Sequence, residues 1–126
     1  MAWGVPADWH IDTPGGMLSG MVRTVDITTL IARHADGAFV LDVREPGEYV
    51  SGHVPGAVLA PMSRITSALG PVPRDQVVHV ICQSGNRSRS MSDLLTSLGY
   101  DAVSVDGGTA EWAARGRPLV RGPQAA

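Results

Sequence analysis

Val77-Val78-His79-Val80-Ile81-Cys82-Gln83-Ser84-Gly85-Asn86-Arg87-Ser88 opens as an almost unbroken apolar run and closes on a thiol, a glycine and a cation. A run of that kind, bounded by turn residues, is the pattern of a strand buried on both faces. Just beyond it, Met91, Leu94, Leu95 and Leu98 stand at i, i+3, i+4 and i+7 with Gly99 as a stop, so the thiol sits where a strand gives way to a helix. Outward toward the C-terminus, Ala102-Val103-Ser104-Val105 reads as another strand, and Thr109 to Arg115 as a last helix closed by Gly116 and Pro118. Outward toward the N-terminus, Ala57-Val58-Leu59 and Phe39-Val40-Leu41-Asp42-Val43 read as strands. A short helix starting at Glu45-Pro46 separates them, and one carrying Ile27, Leu30 and Ile31 precedes them. Ser63 is expected to cap a further short helix containing Ile65 and Leu69 and ending at Gly70. Apolar strands separated by helices call for a parallel sheet covered on both faces, because parallel neighbours need crossover connections. The class is therefore α/β, and ligands in such sheets gather beyond the carboxyl ends of the strands, where Cys82 falls.

At 126 residues the chain suits one domain and one site. Hydrophobic residues make up 44% and charged residues 17%, which excludes a disordered composition. A net charge of -2 and the lack of a basic run argue against nucleic acid as a partner. No segment approaches the roughly 18 apolar residues of a membrane span, so no membrane association is expected and a cytoplasmic location is the default. Residues 1–22, rich in Gly and Pro and without either period, are expected to form a flexible or loosely packed extension. The domain is expected over residues 23–121, with a tail at 122–126. A single cysteine excludes an internal disulfide and a multi-cysteine zinc site, so Cys82 would act as a lone thiol.

A lone cysteine is more often a small buried hydrophobe than a nucleophile. Its position at a strand-to-helix turn changes that balance. A loop curling round the sulfur at a helix N-terminus presents backbone N–H groups and partial positive charge, which stabilise a thiolate without a neighbouring base. Gly85 lets the loop take dihedrals closed to other residues, and the forked cation of Arg87 can receive an oxyanion such as a sulfonate. The competing reading of Arg87 is a helix-surface ion pair. Gln83, Ser84, Asn86 and Ser88 complete the candidate binding loop, with Ser88 able to cap the helix, while Arg89 reads as surface.

With these residues in view the chain resembles the rhodanese (thiosulfate sulfurtransferase) family over about residues 24 to 120. Three stretches carry the likeness in order: Leu41-Asp42-Val43-Arg44-Glu45 through Glu48 and Gly52-His53-Val54-Pro55-Gly56-Ala57; the loop from Cys82 to Ser88; and Gly107-Gly108, Trp112, Gly116 and Pro118. The resemblance implies a five-stranded parallel sheet flanked by helices and no metal or organic cofactor. It also implies a cysteine that takes sulfane sulfur as a persulfide from a small anionic donor such as thiosulfate and passes it to cyanide or a thiol. Four residues separate Cys82 from Arg87, the short loop that resembles sulfurtransferases rather than the phosphatases of this architecture, which place five there. A relay module that exchanges persulfide with a partner protein is the second function compatible with the same residues.

The remaining candidates read as structural. Asp42, Arg44 and Glu48 suit a hydrogen-bonded or ionic network behind the loop. His53 is expected to bond locally in its turn, His79 to be a satisfied core histidine, and Trp112 to pack in the core. His10 and His34 have no ligand partners nearby in sequence, and no metal site is expected.

Overall fold

The computed structural model describes residues 22–126. The extension anticipated at the N-terminus therefore lies almost wholly outside the described residues.

Five parallel strands form one sheet: β1 (Thr24–Val25), β2 (Phe39–Asp42), β3 (Val58–Leu59), β4 (Val77–Ile81) and β5 (Asp101–Val105), in the order β1-β5-β4-β2-β3. Among the described residues, α1 (Ile27–Ala35), α2 (Pro46–Ser51) and α3 (Asn86–Ser97) lie between strands, and α4 (Gly108–Ala114) follows β5. Successive side chains of β4 alternate between two cores, as strand geometry requires. Val77 and Ile81 join Leu30, Tyr49 and Trp112 under α1, α2 and α4. Val78, Val80 and Cys82 join Met91, Leu95 and Ile65 under α3 and the 62–67 segment. Both faces are thus covered, and each fully buried Val, Leu or Ile contributes roughly 1.5–3 kcal/mol against leaving it in water.

The strand order places the site. The chain moves outward from β2 to β3, then returns across β2 to lay down β4, so the direction of winding reverses between β2 and β4. Their carboxyl ends are level, with Asp42 opposite Ile81, and a crevice at such a reversal is where ligands bind in open α/β sheets. Cys82 is the first residue past that end.

One strand went unanticipated and one local expectation needs correcting. Thr24–Val25 is a strand, although two residues are too few to show a period. Residues Met62–Ser67 form a 3-10 helix kinked at Arg64, not an α-helix capped by Ser63. The Ser63 hydroxyl instead donates to the Glu45 carboxylate at 2.8 Å. The C-terminal segment is stitched to the turn after α2: the His53 and Val120 backbones exchange hydrogen bonds, and Gly56 N–H donates to Ala125 at 2.8 Å. His53 is fully buried there, its Nδ1 2.8 Å from the Tyr49 carbonyl and its Nε2 2.8 Å from that of Gln124.

Candidate active site

The loop begins where β4 ends, and Cys82 itself is only 1% exposed. The cysteine packs in the apolar cluster beneath α3, yet its sulfur also meets polar atoms of the loop. Gly85 N–H donates to Sγ at 3.1 Å, and Ser88 Oγ lies 3.6 Å away. Gly85, at φ +116°, is the residue that caps the N-terminus of α3, and this left-handed conformation aims its N–H at the sulfur. Ser88, expected as the cap, lies inside the first turn instead. It is fully buried, bonded to the Gly85 carbonyl at 3.0 Å and to Ser104 Oγ at 2.8 Å.

Opposing forces act on the thiol. Burial, the largest single influence, raises its pKa, but hydrogen bonds from the Ser88 side chain and from the backbone N–H groups of Ser88, Gly85 and Ser84 together outweigh it. The net direction is downward, toward a thiolate.

The loop is held from two sides. From behind, the first turn of α4 grips its carbonyls: Thr109 N–H donates to Cys82 O at 2.8 Å and Ala110 N–H to Gln83 O at 3.0 Å. Gly108 allows this approach, because a Cβ there would stand 2.4 Å from Cys82 O. From the β2 side, Arg44 donates to both Asp42 carboxylate oxygens, with Nη2 2.8 Å from Oδ2, and its Nη1 reaches Gln83 Oε1 at 3.1 Å. Asp42 and Arg44 are 0% and 2% exposed, so the network anticipated behind the loop is present and buried.

Glu48 has a different place. It pairs bidentately with Arg87, at 2.6 and 2.8 Å, holding the Glu48 carboxyl down to about 2 chiefly through the Arg87 hydrogen bonds. A depressed carboxylate pKa adds stability above the ordinary Glu range, lost as pH falls toward about 2. Both partners are about one-third exposed, so water screens the pair. Arg87 is the cation of the loop, half-buried and already engaged. The side chains of Gln83, Ser84 and Asn86 lie at the surface, and Arg89 pairs with Asp106 in solvent. His79 is buried, with Nδ1 3.0 Å from the Phe39 carbonyl; His34 Nε2 is 2.7 Å from the Pro55 carbonyl. Trp112 is fully buried, its Nε1–H donating to Pro118 O at 2.7 Å. Sequence reasoning missed Ser104, a polar residue in an apolar strand whose partner lies 16 residues away.

The doubly covered parallel sheet thus presents an ionisable thiol in a strand-to-helix loop at the reversal of its winding, where ligands bind in open α/β sheets. The rhodanese-like domain family matches residues 26–115, and the chain belongs to that family. It is 37% identical over 103 residues to a sulfurtransferase of Allochromatium vinosum, covering 79% of this chain and 96% of that protein. The solved structure of a rhodanese-related protein from Thermoplasma volcanium superposes with a TM-score of 0.71 at 34% identity, over 78% of this chain and 97% of the other. A thiosulfate sulfurtransferase from Pseudomonas aeruginosa gives a TM-score of 0.73 at 29% identity, over 83% of this chain but only 20% of that longer one.

Proposed function

We propose that the domain transfers sulfane sulfur through a persulfide on Cys82, with thiosulfate or a related small anion as donor and cyanide or a thiol as acceptor. The observation that carries the reading is the Gly85 N–H and Ser88 Oγ about a sulfur whose pKa is lowered. In the first step the thiolate attacks the outer sulfur of thiosulfate, the S–S bond breaks, and sulfite leaves with the electron pair. In the second, the acceptor attacks the terminal sulfur of the persulfide and regenerates the thiolate. Loop N–H groups oppose the charge that moves onto the outer sulfur, and Arg87 receives the donor's sulfonate. Exposed Gln83, Ser84 and Asn86 line the approach, while Ser88 acts on the sulfur from beneath. A lone thiol that works reduced suits the cytoplasm.

The test is the intact mass after incubation with thiosulfate. A gain of one sulfur, absent from protein whose cysteine has first been alkylated, is expected; an unchanged mass with every sulfane donor refutes the reading.

One observation favours a second reading, a persulfide relay between proteins. Arg87 is already bound to Glu48, so a free sulfonate must compete with a carboxylate. Glu48→Gln weakens the competitor and is expected to raise kcat/KM for thiosulfate about two- to fivefold, the strength of a partly exposed ion pair. Arg87→Met should lower it about 10–100-fold, the loss of a charge-assisted hydrogen bond. If neither substitution moves thiosulfate kinetics while a persulfidated protein thiol remains a good donor, the relay reading prevails.

A further inference from the structure

Ser104 of β5 is fully buried, and among the described residues Ser88 is the hydrogen-bond partner of its side chain, at 2.8 Å. Ser88 Oγ also faces the Gly85 carbonyl at 3.0 Å and Cys82 Sγ at 3.6 Å. A hydroxyl donates one proton and accepts two, so these few atoms can be counted. Were Ser88 to donate to Ser104, the Ser104 proton would point at no acceptor in a buried site, and neither Gly85 O nor the sulfur would receive the Ser88 proton. The arrangement that satisfies every group runs the other way, with Ser104 donating to Ser88.

We propose that Ser104 is a positioning residue for the Cys82 thiolate: by donating to Ser88 Oγ it keeps the single Ser88 proton directed at the loop, available to the sulfur. With the thiol protonated, S–H donates to Ser88 and Ser88 donates to the Gly85 carbonyl. When that proton leaves to water, the Ser88 hydroxyl turns to Sγ, and the incoming Ser104 bond polarises it toward the negative charge. The residue acts through Ser88 and touches no substrate. Ser104 supports from the sheet, through Ser88, the sulfur that Gly85 N–H reaches directly from the loop. The assignment rests on Cys82 working as a thiolate, as the proposed sulfur transfer requires, but its test needs no sulfur donor.

That test is the rate of Cys82 alkylation by iodoacetamide, followed against pH in wild type, Ser104→Ala, Ser104→Thr and Ser104→Val. Ala and Val should move the midpoint upward, so that the rate below it falls about three- to tenfold, the worth of one hydrogen bond to a charged group's donor. Thr keeps the hydroxyl and should hold the midpoint near wild type, while its isostere Val does not. The Thr and Val pair keeps the result readable should the Ala variant fold poorly. A lowered melting temperature with an unmoved midpoint, or Thr and Val shifting alike, overturns the assignment. Failure of sulfur transfer itself would appear separately, as a protein that gains no sulfur from donors while its alkylation profile still responds to Ser104.

Discussion

Cys82→Ser is expected to abolish the proposed persulfide formation and sulfur transfer, to the level of the uncatalysed reaction. The substitution leaves the shape of the loop nearly intact, since the new Oγ can accept from Gly85 N–H as the sulfur does. What it removes is an ionisable nucleophile. A serine hydroxyl is not brought to an alkoxide near neutrality by a few hydrogen bonds, and no side chain of the loop is a general base that could take its proton. In the wild-type protein the rate of persulfide formation should rise with pH and then level off, because the reacting form in the proposed transfer is the thiolate. Burial alone would push that midpoint up; the Ser88 hydroxyl and the N–H groups of Ser88, Gly85 and Ser84 bring it below the ordinary thiol value. Thiocyanate production from thiosulfate and cyanide, measured against pH for both proteins, checks each part. Retained turnover in Cys82→Ser would mean that the chemistry lies elsewhere in the chain.

Much of this site was legible because its signals are local. The β4 run, the thiol at its exit and the i, i+3, i+4, i+7 stripe of α3 all fall within 22 residues of one another, and each follows from the period of one element. The nature of the fold followed too, since apolar strands alternating with helices leave few arrangements other than a covered parallel sheet. What escaped was set by distance or by brevity. Thr24–Val25 pairs with Ser104 and Val105 but is too short to carry a pattern. The kinked 3-10 segment has the apolar residues of a helix without its geometry, because Arg64 leaves the helical region. Ser88 has the chemistry of a cap, yet the cap falls on Gly85, whose left-handed backbone serves the sulfur. The Arg87 partner is 39 residues away, so sequence could present sulfonate binding and ion pairing only as rivals. The structure shows the ion pair; the proposed sulfur transfer asks the same cation to exchange its screened carboxylate for a donor.

Asp42→Asn is expected to destabilise the domain by about 3–5 kcal/mol, the usual penalty for removing one partner of a buried ion pair. Asp42 and Arg44 are almost fully buried, and the carboxylate accepts from the Arg44 backbone N–H and from its guanidinium. Asparagine matches the shape but turns an N–H₂ group toward the guanidinium and leaves a positive charge in a poorly solvated place. In a domain of this size the melting temperature should fall by roughly 10–20 °C. The consequence also reaches the loop, because Arg44 donates to Gln83 beside the cysteine as well as to the Gly52 carbonyl in the turn after α2. The guanidinium, no longer anchored by a carboxylate, loosens the β2 side of the cradle while α4 still holds the other. Turnover at temperatures where the variant remains folded should therefore drop as well, by about 10–100-fold for a displacement approaching 1 Å at the nucleophile. Differential scanning calorimetry and single-turnover persulfidation below the transition separate the two effects. The double substitution Asp42→Leu with Arg44→Met supplies the contrast: removing both charges should restore most of the stability, since an apolar pair of similar volume leaves no orphaned ion. It should not restore the rate, because the contact with Gln83 is gone. Recovery of both stability and turnover in the double variant would show that the pair holds the fold alone and takes no part in setting the loop.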